Sequence, residues 1–170
     1  DLIQKQTGID VLHTDLKIVE KKLQELAIIY EKKGITLARG VDALWKHCRK
    51  DLSGPTFLIN VPVFLEPLAK RRHDNPATVE RFQVILAGSE MGKGYSELND
   101  PIDQRTRLEE QQRAREAGDE EAQMADYDFI EALEYGMPPA CGFGVSERLF
   151  SFLSNKPVRE TQIFPLMRPR

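Results

Sequence analysis

The chain holds only two cysteines among its 170 residues, Cys48 and Cys141. They lie far apart, belong to no C-x-x-C and have no His-x-x-His nearby, which argues against a zinc site and for free thiols in a reducing cytosol. No apolar run is long enough to cross a bilayer and no secretory leader opens the chain, so membrane insertion and export are not expected. A surplus of positive charge is missing too: 24 Lys and Arg stand against 27 Asp and Glu, a net charge of −3. A chain that gripped nucleic acid by its own basic surface would need clustered Lys and Arg, and Lys70-Arg71-Arg72 is too short to serve. Internal repeats and low-complexity segments are absent. What remains is an ordinary globular composition, 41% hydrophobic and 30% charged, at a length that suits one domain by the usual range of roughly 100–200 residues. The chain opens on Asp1 rather than Met, as a piece of a longer protein would.

Thr14 and Asp15 can cap a helix that carries Leu16, Val19, Leu23, Leu26, Ala27 and Tyr30 at three-to-four spacing, with Gly34 as its stop. A second, short helix is expected from about Val41 to Arg49, presenting Leu44, Trp45 and Cys48. After the Gly54-Pro55 break, Thr56 to Val61 reads as a buried strand. Residues 62–76, punctuated by Pro62, Pro67 and Pro76, read as a loop. Arg81 to Leu86 forms a second strand, Ala87-Gly88-Ser89 a turn, and Glu90 to Leu98 a return strand. Gly92 and Gly94 would each disfavour a helix there by about 1 kcal/mol, and they suit a bulge or a close backbone approach.

Two helices follow, Asp103 to Ala117 and Asp119 to Tyr135, divided at Gly118. The first is charged nearly all round and is expected to be a mostly solvated surface helix. The second carries an apolar stripe of Met124, Tyr127, Ile130 and Leu133. Gly136-Met137-Pro138-Pro139 ends it, because proline cannot continue a helix. Cys141 to Val145 is a glycine-rich strand, and Ser146 is a good N-cap for a helix bearing Leu149, Phe150, Phe152 and Leu153. An extended stretch from Ile163 to Leu166 closes the chain. The pattern predicts an α+β domain, an antiparallel sheet flanked by helices. Residues 1–55 form a helical segment and residues 56–170 carry the sheet, one domain fragment overall.

Three features suggest chemistry. Glu90 and Glu97 flank a glycine-rich strand with Lys93 between them; carboxylates there can hold a divalent ion or an ammonium group. They can equally be exposed charges, since residues seven apart in a regular strand point to opposite faces. Arg148 falls in the first turn of its helix, where the helix dipole disfavours a cation. A bound triphosphate would repair the mismatch, and so would an ion pair with Glu147 or Glu160. Gly142 and Gly144 leave a strand surface without side chains, either a floor for a flat ring or a bulge.

The run from Gly88 to Pro101, GSEMGKGYSELNDP, with Asp103-Gln104 just after, resembles the stretch G-x-E-I-x-N-G-[FY]-S-E-L-N-D-P-x-x-Q of class II lysyl-tRNA synthetases. Asp128 to Pro139, DFIEALEYGMPP, is similar to the helix entering that family's motif 3. Glu147-Arg148-Leu149 resembles the end of motif 3, and Phe164 to Pro169 resembles the family's C-terminus. Pro67-Leu68-Ala69-Lys70 has a counterpart as well. The resemblance covers most of the chain from about Thr56 onward. It implies part of the class II antiparallel sheet, and a parent enzyme that activates lysine with ATP and loads it onto the lysine tRNA.

Position by position, the resemblance implies that Glu97 receives the lysine ε-ammonium, while Tyr95 lines the lysine pocket and Lys93 stands beside it. It places Glu90 on the magnesium that accompanies ATP, and Met91, Gly142 and Gly144 along the nucleotide. Arg148 would lie against the adenine and γ-phosphate. Three departures stand out: Gln83 occupies the place of a second metal-binding glutamate, Lys93 that of an asparagine, and the stretch from Pro139 to Arg148 is shorter than the usual form. Nothing resembles motif 1, which builds the family's homodimer, motif 2, or the anticodon-binding barrel. The resemblance therefore implies a cytoplasmic, homodimeric parent and a fragment that is inactive alone. Two alternatives remain: a paralog that lysylates a protein lysine, and a synthetase-derived binding module without catalysis.

Overall fold

The computed structural model describes residues 1–164. The expected final stretch, from Pro165 onward, lies outside them. Three helices lead: α1 (Leu2–Thr7), α2 (Leu16–Glu25) and α3 (Leu37–Cys48). Strand β1 (Thr56–Ile59) follows, then β2 (Arg81–Leu86) and β3 (Ser89–Ser96). Helices α4 (Pro101–Glu116) and α5 (Tyr127–Glu134) precede β4 (Cys141–Val145), and α6 (Glu147–Ser154) and α7 (Val158–Thr161) close the described chain. The four strands form one antiparallel sheet in the order β1-β2-β3-β4. This is the predicted α+β arrangement, consistent with part of the class II synthetase sheet.

Side-chain caps set most helix starts. Asp15 accepts from the Ile18 amide at 2.9 Å, Asp126 from Phe129 at 2.9 Å, and Ser146 from Arg148 at 3.2 Å. Asp100 caps α4 with Pro101 in its first turn. Several boundaries differ from expectation. The strand expected to be buried from Thr56 to Val61 ends at Ile59 and alternates, with Phe57 and Ile59 exposed at the edge of the sheet. Helix α2 stops at Glu25 rather than running to Tyr30: Ala27 takes a left-handed φ of 51°, and the Ile28 amide turns back to the Leu23 carbonyl at 2.9 Å. Leu26, Ile28 and Tyr30 then pack on the core of Ile9, Val19, Leu23, Val41 and Leu44 from the turn, not from a helix. Helix α3 begins at Leu37, one turn before the expected Val41, and so contains Gly40. A Cβ on Gly40 would meet Val19 Cγ1 at 2.6 Å, so the glycine that disfavours the helix locally is what lets α2 and α3 cross closely. Cys48 is buried in this region, and burial pushes its thiol above the ordinary value.

The helix expected from Asp119 to Tyr135 is confined to Tyr127–Glu134. The Arg115 guanidinium takes the Glu120 and Ala122 carbonyls at 3.0 and 2.9 Å, acceptors that a helix would have used. Gln112 likewise accepts from the Ala125 amide. Met124 and Tyr127, expected in the apolar stripe, are exposed, while Ile130 and Leu133 are buried. Helix α4 is solvated over most of its surface, yet Gln104, Arg107 and Leu108 are buried. Gln104 donates to the Pro67 carbonyl at 3.2 Å, and Arg107 to the Glu66 and Ala69 carbonyls at 3.3 and 2.6 Å. Through these contacts α4 holds residues 66–69 against the end of β3, where Ala69 bridges Glu97 and the Leu98 amide donates to the Leu68 carbonyl at 3.0 Å.

Candidate active site

Cross-strand partners in a sheet share a face. Strand β3 pairs Tyr95 with Arg81 and Lys93 with Gln83, and on its other edge Tyr95 with Gly142 and Lys93 with Gly144. The register then shifts: Gly92 faces Val84 but Glu90 faces Ile85, so Met91 is an extra residue, a β-bulge. That extra residue resets the alternation. Glu90 therefore shares a face with Lys93, Tyr95 and Glu97, where a regular strand would have set it opposite Glu97. The Met91 carbonyl accepts from the Ser146 amide at 2.8 Å, which ties the bulge to the start of α6.

This face lines a groove that includes Glu66, Arg81, Gln83, Glu90, Lys93 and Tyr95. Glu90 is half-buried; its Oε1 accepts from the Trp45 indole at 3.1 Å and lies 3.7 Å from Arg49 Nε. Arg49 also donates to the Gly88 carbonyl in the turn before β3. Among the described residues no hydrogen bond reaches Glu90 Oε2. Gln83 is buried, and its carboxamide oxygen accepts from Arg81 at 2.9 Å. Burial, together with the Glu97 and Glu66 charges, pushes the Tyr95 phenol above its ordinary value against the opposing pull of Arg81. The Glu97 amide donates to the Ala140 carbonyl at 2.9 Å, and its Oε1 stands 3.4 Å from where a Cβ on Gly142 would be. Nothing lies within 4 Å of the same position on Gly144. The two glycines thus leave an open backbone surface beside a carboxylate.

The sheet's opposite face has a different chemistry. Phe82 stacks on Phe143 with ring centroids 5.5 Å apart and meets Phe57 edge-on at 6.2 Å. Cβ atoms on Gly92 and Gly94 would lie 3.3 and 2.9 Å from these rings, so the glycines make room for them. Charge is therefore sorted to one side of β3 and the phenylalanine rings to the other.

Of the residues singled out in the sequence, Glu90, Lys93, Tyr95, Glu97, Gly142, Gly144 and Gln83 meet on the charged face. Met91 is the bulge residue itself and is 9% exposed. Arg148 sits in the first turn of α6, exposed, and no ion pair to Glu147 or Glu160 is found among the described residues; Glu147 accepts from Gln162 instead. Lys93 does not pair with Glu90. Its ammonium lies 3.9 Å from Glu66 Oε2, and Glu66 Oε1 is 3.0 Å from Arg81 Nε. Trp45, Arg49, Glu66 and Arg81 were not anticipated as neighbours of the site. Only Trp45, placed on an apolar helix face, gave any signal in the sequence.

A family profile described as tRNA synthetases class II (D, K and N) matches residues 7–168. The chain is 42% identical over 172 residues to a protein of Thermotoga maritima named lysine–tRNA ligase, covering 100% of this chain and 34% of that protein. Proteins of the same name from Roseiflexus castenholzii and Thermoanaerobacter pseudethanolicus are each 44% identical, over 99% and 100% of this chain and 35% of their own length. The chain spans about a third of the length of the curated relatives it matches.

Proposed function

This chain belongs to the class II tRNA synthetases (D, K and N), and we propose that it supplies the lysine pocket and part of the nucleotide floor of a lysine–tRNA ligase. The observation that carries the proposal is the Met91 bulge, which gathers Glu90, Lys93, Tyr95 and Glu97 on one face beside the bare backbone of Gly142 and Gly144. Glu97 receives the substrate ε-ammonium through a charge-assisted contact, and Tyr95 covers the aliphatic stem. The adenine lies along Gly142 and Gly144, with Arg148 at its edge and toward the γ-phosphate.

In the proposed reaction the lysine carboxylate attacks the ATP α-phosphorus in line, the bond to the bridging oxygen breaks, and pyrophosphate leaves. A terminal hydroxyl of the lysine tRNA then attacks the lysyl carbonyl carbon and AMP departs. The protein's part is positioning and charge complementarity. Magnesium fits this site in one mode. The described residues contain no group of three or more His, Cys, Asp or Glu able to cage a metal. Mg²⁺ bound with nucleotide, however, rests on one or two carboxylates plus phosphates and keeps its waters, and Glu90 Oε2 is available for that. Gln83, with its oxygen turned to Arg81, adds no charge to such a contact. When bound, the ion would neutralise phosphate charge as pyrophosphate leaves.

No helix among the described residues is long and apolar enough to cross a membrane; a cytoplasmic, homodimeric parent belongs to the same proposal. The full-length protein is expected to exchange pyrophosphate into ATP only when lysine is present, and the 170-residue chain alone to show none. Full-length protein without lysine-dependent exchange would favour a binding module instead. Arg148→Ala in the full-length protein should lower kcat/KM for ATP by about 2–4 kcal/mol, the size typical of a lost charge-stabilising group. Unchanged kinetics would make Arg148 a structural residue.

A further inference from the structure

Glu66 sits in the proline-bounded loop before β2, outside the family-like motifs, yet its carboxylate lines the groove beside Arg81 and Lys93. The side chain is 16% exposed and stands between Arg81, which is 7% exposed, and Lys93, which is 52% exposed. Arg107 and Gln104 of α4 hold the loop in place through the Glu66, Pro67 and Ala69 carbonyls. The carboxylate is thus aimed by a buried scaffold.

Its position answers a charge problem. Lysine carries two ammonium groups and one carboxylate, so the ligand is a net cation. The charged groups gathered here are Glu66, Glu90 and Glu97 with Arg49, Arg81 and Lys93, three carboxylates against three cations. Remove Glu66 and the site turns net positive, with Lys93 uncompensated on the same face as Tyr95 and Glu97. In open solvent that difference would be screened, but a bound substrate displaces water and strengthens it.

We propose that Glu66 is a positioning and specificity residue of the amino-acid pocket: its carboxylate holds Lys93 and offsets that cation, so the site meets lysine without a net positive charge. The proposal rests on the lysine-ligase reading above. It also explains how a lysine side chain is tolerated at position 93: its charge is neutralised by a loop residue 27 positions earlier in the chain.

The test is pyrophosphate exchange by the full-length protein against lysine concentration, for the parent and for Glu66→Gln, Lys93→Asn and the double variant. The glutamine keeps an oxygen for Arg81, and thermal unfolding checks that each variant is folded. Glu66→Gln should raise KM for lysine about tenfold while kcat and the KM for ATP stay within about twofold. Adding Lys93→Asn restores the charge balance and should return the lysine KM to within about threefold of the parent. Unchanged lysine KM in Glu66→Gln would overturn the proposal. So would a raised KM that Lys93→Asn fails to rescue, since that effect would run through Arg81 and local structure. A parent without lysine-dependent exchange would overturn the ligase reading itself, and the pocket role of Glu66 with it.

Discussion

Glu97→Gln in the full-length protein is expected to raise the lysine concentration needed for half-maximal exchange by roughly a hundredfold to a few thousandfold, with ATP use nearly intact. The variant keeps the shape of the side chain and removes its charge. If Glu97 meets the substrate ammonium in a closed pocket, the partner charge stays desolvated without compensation, which costs about 3–5 kcal/mol. The neighbourhood supports that size of effect: Tyr95 is half-buried beside it, and Gly142 leaves no side chain to replace the carboxylate. Because the Glu97 charge is proposed to act on the lysine ammonium rather than on the uncharged adenine over the neighbouring glycines, the loss should fall on lysine and spare ATP. Equal loss for both substrates would point to a collapsed site, and no loss would remove Glu97 from the pocket.

The second large effect concerns stability. Arg107 is 4% exposed, pairs with Asp103 at 2.5 Å, and donates to two carbonyls of the loop that carries Glu66 and abuts Glu97. Arg107→Met should destabilise the protein by about 3–5 kcal/mol, the range for breaking a buried pair from one side. Urea unfolding of full-length parent and variant measures it, and a loss under about 1 kcal/mol would show that water or Arg71 substitutes for Arg107. Asp103 gives the pH dependence its sign. Burial alone would raise its carboxyl, but hydrogen bonds from Arg107 and Arg71 outweigh burial and hold it below the ordinary carboxylate value. A carboxyl whose pKa is depressed on folding stabilises the fold above its unfolded pKa, and this is lost as pH falls through the folded value. The parent should therefore lose stability on acidification through that range, and Arg107→Met should lose less, with only Arg71 left to favour the Asp103 carboxylate.

The strands were legible because their signals are local. β2 follows its β-rich run closely, and Ser146 starts α6 as its capping chemistry requires. The failures are non-local. Gly40 counts against a helix until α2 is known to cross it, and the segment from Asp119 to Asp126 looks helical until Arg115 is seen to take its carbonyls. The site shows the same division. Family-like residues were visible as letters, but regular spacing argued against a shared face; Gly92 and Gly94 signalled a bulge in this strand, yet nothing in the sequence marked Met91 as the extra residue that inverts the alternation. Glu66 was invisible for a related reason: its partners are brought to it by strand pairing and by α4, neither of which leaves a periodic trace in residues 62–76.

Lysine and ATP are proposed to meet on the charged face of this sheet. A structure of the full-length protein with a non-hydrolysable lysyl-adenylate analogue tests it most directly. The ε-ammonium is expected within about 3 Å of the Glu97 carboxylate, the adenine over Gly142 and Gly144, and the Glu66–Lys93 pair intact at the pocket wall. A ligand bound elsewhere, or an ammonium held by another residue while Glu97 stays turned away, would contradict it.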